Sequence, residues 1–305
     1  MITTTRLAFA SVNQNLNESF IDTVLSKTNG IPRMGDILKY TKNDNNNSAN
    51  LRHLTLFGDP ALPMALPRYN VVTTSIVDPA TLITVSGEVQ DYSGQTLSGF
   101  NGEVYVKVYD KPTTVRTLGQ DIDSFEANFE VQKNVIYQGK AKVEQGLFSI
   151  TFPVPQDIDY NFGKGKISYY ATDGVDDAHG YYTDFIIGGS KKIIEADETG
   201  PQITLYINDT TFIDGGLTSE NPKLLVYLHD ESGINTLGNG VGHDLLATID
   251  GDSYSSSPLN DFYVADRDSY KSGLARYQFF NLDDGPHTVT VKAWDVFNNS
   301  SESSI

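Results

Sequence analysis

The sequence predicts a multidomain, mainly β protein in which an incomplete α/β portion precedes two β-sandwiches. Three observations predict it. Residues 2–57 alternate strand-like and helix-like text. From residue 69 onward only short β-branched and aromatic runs occur, each bounded by Gly, Pro, Asp or Asn. Between the two lies LTLFGDPALPMALP (residues 54–67), an apolar run stopped by Gly58-Asp59-Pro60 and kept extended by Pro63 and Pro67.

Taken in order, residues 2–10 (ITTTRLAFA) read as a strand covered on both faces, because apolar and β-branched residues run with little polar interruption. Residues 17–25 read as a helix with Phe20, Ile21, Val24 and Leu25 on one side and Asn17 as its N-cap. Gly30 and Pro32 break the chain. Residues 33–42 read as a second helix, with Met34, Ile37, Leu38 and Thr41 at i, i+3, i+4, i+7 and Lys39 and Lys42 near its negative end. NDNNNSAN (residues 43–50) has nothing to bury and reads as a loop. Residues 51–57 then read as a buried strand parallel to the first, since a helical crossover separates them. Two parallel strands with helices cannot cover both faces of a sheet, so residues 1–69 are expected to be the last piece of a larger α/β domain.

Residues 70–190 read as an antiparallel, immunoglobulin-like sandwich. In residues 103–109, Val104, Val106 and Val108 alternate with Tyr105 and Lys107, giving one core face; LFSITF (residues 147–152) alternates in the same way. KKIIEADETG (residues 191–200) reads as a charged hinge. Residues 196–305 read as a second such sandwich, in which Val289, Val291 and Ala293 share one face and Thr288, Thr290 and Lys292 the other.

Composition narrows the chemistry. The formal net charge of −17 repels phosphate backbones and argues against nucleic acid as a partner. With no cysteine among 305 residues, disulfides, thiolate metal sites and a cysteine nucleophile are excluded within this chain. No apolar run approaches the roughly 20 residues of a membrane-spanning helix, and the first residues lack the apolar segment of a signal peptide.

The strand ending in LFGDPAL, followed by prolines and a β-module, resembles the end of the catalytic domain of gingipain-type cysteine peptidases. Further phrases resemble the sortase branch of that family, which serves type IX secretion: SGEVQDYSGQTLSGFNGEVYVKVYDKP, GKGKISYYATDGVDDAHGYYTDFIIGG, NPKLLVYLHDESGINTLGNGVGHDLLATID and DGPHTVTVKAWDVFNNSS. The resemblance implies a caspase/gingipain-like α/β domain whose catalytic His and Cys lie upstream of Met1. It implies a parent at the outer surface of Bacteroidota that removes the C-terminal sorting signal from exported cargo. Implied partners are other outer-membrane subunits of the attachment complex and the cargo's C-terminal signal domain. With no catalytic residue of its own, the chain is expected to serve as scaffold and docking region. The alternative is a non-enzymatic surface adhesin made of immunoglobulin-like modules.

Candidate sites are sparse. Asp173, Asp176 and Asp177 share the loop DGVDDAHG with His179; clustered carboxylates suit calcium, and the same residues suit a solvated hairpin. No other cofactor is expected. Asp261, Asp266 and Asp268 raise the same question, with Arg267 placed to neutralise them. GNGVGHD (residues 238–244) lacks the lysine and following helix of a phosphate cradle, and His243 with Asp244 lacks a nucleophile elbow. Asp59 is expected to bind amides of its own turn, and Trp294 to pack. Tyr169, Tyr170, Tyr181 and Tyr182 read as strand residues unless they lie on the surface, where a sugar-binding shelf becomes the competing reading.

Overall fold

The computed structural model describes residues 2–4, 10–25, 32–45, 51–78, 82–120, 124–189, 197–238, 242–252, 254 and 256–305. Parts of the expected first strand (5–9), polar loop (46–50), charged hinge (191–196) and glycine run (239–241) lie outside the described residues. The chain divides into two compact units, Met1–Arg68 and Tyr69–Ile305.

In the first unit, β1 (Ile2–Thr4) leads to α1 (Ala10–Leu25), α2 (Met34–Asp44), a single 3₁₀ turn (Leu51–His53) and β2 (Leu54–Leu56). The two strands pair antiparallel, with Thr3 opposite Thr55, not parallel as expected. A crossover with one helix returns a strand in its original direction; the two packed helices of this connection add a further reversal. α1 begins seven residues before Asn17, which is an exposed mid-helix residue and not the N-cap. Packing decides this, since Leu16, Ser19 and Val24 form the buried side while Ile21 and Leu25 are exposed. α2 buries Ile37 and Thr41 as the spacing predicts. Of the expected buried run, Leu54 is buried but Phe57 is exposed.

The 54–67 seam also serves α2. The N–H groups of Met34 and Gly35 donate to the carbonyls of Leu62 and Pro60 at 2.8 and 2.9 Å, satisfying amides that a helix start leaves unpaired. Gly35 is required for this approach: a Cβ there would lie 2.8 Å from Pro60 Cβ and 2.9 Å from its carbonyl oxygen. Asp59 Oδ1 accepts the amide of Ala61 at 2.8 Å, as expected of a turn aspartate.

The second unit opens with β3 (Tyr69–Val77), β4 (Leu82–Gln90), β5 (Gly102–Tyr109), β6 (Thr113–Arg116), β7 (Asn128–Val131), β8 (Val135–Val143), β9 (Leu147–Pro153), β10 (Gly163–Lys164), β11 (Lys166–Thr172), β12 (Asp177–Tyr182) and β13 (Ile186–Ile187). Seven of these form one sheet in the order β8-β5-β11-β12-β3-β4-β9. Every pairing in it is antiparallel except β12–β3, a short parallel join at Ala178–Tyr69 and His179–Asn70. That join links the two layers of a sandwich into one sheet, and the layers meet across a shared core. Phe148 of β9 packs edge-on against Tyr169 of β11, Tyr137 of β8 stacks on Phe152 of β9, and Thr73 on β3 bonds the Tyr169 hydroxyl at 2.6 Å. Val104, Val106 and Val108 are fully buried, each contributing about 1.5–3 kcal/mol. β6 and β7 form a separate exposed hairpin.

The remaining strands are β14 (Gln202–Ile207), β15 (Lys223–His229), β16 (Leu246–Ile249), β17 (Ser256–Pro258), β18 (Tyr263–Ala265), β19 (Ser272–Gln278), β20 (Val289–Trp294) and β21 (Ser300–Ser304). They form two four-stranded sheets, β14-β15-β19-β18 and β17-β16-β20-β21. Leu224, Val226 and Leu228 from the first sheet and Val289, Val291 and Ala293 from the second are among the core residues, the latter three as their alternation predicts.

The two sandwiches share one continuous set of buried apolar residues. They are also joined by backbone: Asp268, at φ 58°, donates its N–H to Lys140 O at 2.9 Å and accepts the Lys142 amide on Oδ1 at 2.9 Å. The Thr236 hydroxyl donates to Ile136 O at 3.3 Å.

Candidate functional site

Several residues singled out in the sequence have local work. Asp173 Oδ1 accepts the amides of Val175 and Asp176, and Asp177 Oδ1 accepts the Tyr170 hydroxyl, so these carboxylates brace their hairpin. Asp266 accepts the Ser272 hydroxyl, Asp268 holds β8, and Arg267 reaches Glu103 at 3.2 Å and Asp268 only at 4.0 Å. Tyr169 is core and Tyr182 stacks on Phe185, whereas Tyr170 and Tyr181 are exposed, by 40% and 75%.

Two polar clusters form that no sequence spacing displays. The first brings together Asp197, just before β14, Asp230, just after β15, and Asp295, just after β20. One carboxylate oxygen from each lies within 4.8 Å of the others. The strand ends place them: each Asp follows or precedes a core strand and turns its Oδ1 onto nearby amides. Asp230 takes those of Ser232 and Gly233, Asp295 those of Phe297 and Asn299, and Asp197 that of Thr199. The Ser232 hydroxyl donates to Asp197 Oδ2, and the Asn299 side chain donates to both Asp295 Oδ2 and the Asp197 carbonyl.

Burial is uneven, and so is the electrostatics. Asp197, partly exposed and well supplied with donors, is held below the usual carboxylate range, first by the Thr199 amide. Asp295 is fully buried and its pKa is pushed up by that burial. Asp230, 5% exposed, is pushed up to about 6, mainly by burial and further by the Asp295 charge. An oxygen-only set of this kind suits a proton or a hard cation.

The proton has a measurable consequence. Asp230 holds its proton more tightly folded than unfolded, so its contribution to stability is present below about pH 4 and is lost as pH rises through about 6. Asp230→Asn, neutral throughout and still able to accept both amides, should be more stable than the native chain by about 1–2 kcal/mol at pH 7.5. The advantage should vanish near pH 4. Thermal melts in a chelator-containing buffer read it; a gap that does not change with pH would refute the assignment.

The second cluster centres on Asp157, in the connection after β9. Its Oδ2 accepts Asn235 Nδ2 at 2.8 Å and His243 Nδ1 at 2.9 Å, and its Oδ1 accepts Asn298 Nδ2 at 2.8 Å. Three loops of the second sandwich thus converge on one carboxylate from the first. His243 also packs on Trp294, with ring centres 4.3 Å apart. Its carboxylate partner is Asp157 rather than the adjacent Asp244. For the first cluster, the signal that could have pointed to it is the Asp placed directly after a core strand, as in HDESG and WDVFNN.

Residues 1–65 match the model of Peptidase family C25, the gingipain family. The match lies within the first unit and includes residues 54–65, part of the stretch on which the resemblance was read. No curated protein matches the chain. Over its whole length the chain is similar to a crystal structure of dimeric latent PorU from Porphyromonas gingivalis, at 28% identity with a TM-score of 0.46. It spans 30% of that PorU chain. Among the described residues, no helix is long and apolar enough to cross a membrane.

Proposed function

We propose that this chain is the C-terminal portion of a PorU-like type IX secretion sortase, and that its own role is scaffolding and docking. The observation that carries the reading is the Peptidase family C25 match over residues 1–65 in a chain that contains no cysteine. Chemistry of that class is thiolate attack assisted by histidine through a thioester. In this reading the nucleophile and its histidine belong to the parent upstream of Met1, and β1 and β2 are the last strands of its α/β layer. The parent acts at the bacterial outer surface, trimming the sorting signal of exported cargo. The second unit braces that machinery and meets attachment-complex subunits or the cargo's signal domain.

The test is a parent lacking Tyr69–Ile305, a cut that follows the division between the two compact units. Cargo maturation should fall at least tenfold, while cleavage of a short peptide by the same variant stays within about twofold. Unchanged cargo maturation would sink the docking role. Loss of both activities would instead assign the second unit to the integrity of the catalytic domain.

A further inference from the structure

The outer face of the β8-β5-β11-β12 layer differs in sign from the rest of the chain. It carries Lys107, Lys140, Lys142 and Lys166 against Glu103 and Asp177, in a chain of formal net charge −17. The alternate positions of these four strands that point outward bear no aliphatic side chain.

Register gives the lysines a direction. Lys140 on β8 is opposite Tyr105 on β5; Lys107 lies two residues further along β5; Lys166 on β11 is opposite Tyr109, two residues further again. Each step along Lys140, Lys107 and Lys166 therefore crosses one strand and advances two residues. Strand spacing and rise put that step at about 8 Å. Lys140 Nζ lies 5.5 Å from the Tyr105 ring centre and Lys166 Nζ 4.4 Å from that of Tyr109. These contacts draw the two ammonium groups over the rings of Tyr105 and Tyr109. Among the described residues, Lys107, Lys140 and Lys166 take part in no salt bridge, whereas Lys142 pairs with Glu144. Tyr170 and Tyr181 stand exposed beside this diagonal.

We infer that this face docks an extended acidic segment of a partner protein, one with carboxylates on alternate residues. Alternate side chains of an extended chain recur about every 7 Å on one side, and flexible Glu and Lys stems span the remaining difference. Charge complementarity supplies attraction, and the exposed tyrosines supply the aromatic contact that protein interfaces favour. The inference rests on the docking role above only for its physiological partner, since binding is measured on this chain alone.

The experiment uses the full 305-residue chain and a fluorescent peptide alternating Thr and Glu over ten residues, read by anisotropy at low and physiological salt. A control peptide carries the same residues in two blocks. The alternating peptide should bind, at least fivefold tighter than the block peptide and more weakly at high salt. Lys140→Glu with Lys166→Glu should weaken it at least tenfold, Tyr181→Ala two- to fivefold, and Lys223→Glu, at the start of β15 in the second sandwich, not at all. All these positions are on the surface, and melts confirm that each variant folds. Absence of binding, equal binding of the block peptide, or unchanged binding by the double variant overturns the inference. Tighter binding of polygalacturonate than of the peptide also overturns it, in favour of a polysaccharide surface. Failure here leaves the cargo-maturation result of the truncated parent untouched, and the reverse holds too.

Discussion

Gly180→Ala is expected to destabilise the second unit by about 3–4 kcal/mol, since it would make the closest approach of any glycine Cβ among the described residues. Gly180 sits on β12, opposite Tyr169 of β11 on one side and beside β3 on the other. A Cβ at this position would lie 1.9 Å from the carbonyl oxygen of Val71 and 2.9 Å from its carbonyl carbon. No rotamer relieves such a contact, because both partners are backbone. The strain falls on the only parallel pairing of the seven-stranded sheet, where two register pairs join its layers. Val71, 3% exposed, would be drawn out of the core with its strand. Urea unfolding followed by circular dichroism measures the loss, with Gly99→Ala as control, since a Cβ there meets nothing within 4 Å. Equal midpoints for the two variants would contradict the account of sheet closure given above.

Asp157→Ala should cost about 3 kcal/mol and uncouple the two sandwiches. The carboxylate accepts three side-chain donors, and each such charge-assisted bond exceeds a neutral one in strength. Removing it leaves Asn235, which is fully buried, with an amide donor facing nothing polar. An unsatisfied buried donor is penalised more heavily than a lost surface bond. Because the donors come from loops at positions 235, 243 and 298, the loss is shared by the junction and not by either core. The native chain should therefore unfold in one transition across Tyr69–Ile305, and the variant in two, the second-sandwich step reported by fluorescence of Trp294, which packs on His243. Asp157→Asn keeps an acceptor and should lose about 1 kcal/mol without splitting the transition. A single transition at the native midpoint in Asp157→Ala would mean that the junction is held by apolar contacts alone.

Particular elements show why some of this was legible in advance. Val289, Val291 and Ala293 announce β20, because alternate burial imposes a two-residue period on side-chain type. β21 carries no such mark: Ser300–Ser304 is a strand only because its backbone completes the edge of β20. The opposite direction of β2 depended on two helices packing as a hairpin, and the early start of α1 on Leu16 and Ser19 finding a covered surface. Tyr170 and Tyr181 could be placed on a strand from residue type, but their exposure is set by which side of the sheet the core occupies.

The alternation of strand and helix followed by strands alone, the turn at Gly58-Asp59-Pro60, the absence of a thiol and the match of residues 1–65 to Peptidase family C25 were determined by the amino-acid sequence alone, because each depends on local chemistry or on the order of residues. The meeting of Asp197, Asp230 and Asp295, the three-donor hold on Asp157 and the diagonal of lysines were decided only by tertiary structure. These groups come from segments separated by tens of residues. Their approach is set by sheet register and by the burial of two cores, and neither leaves a periodic trace in the polar residues that the cores carry to one end or one face.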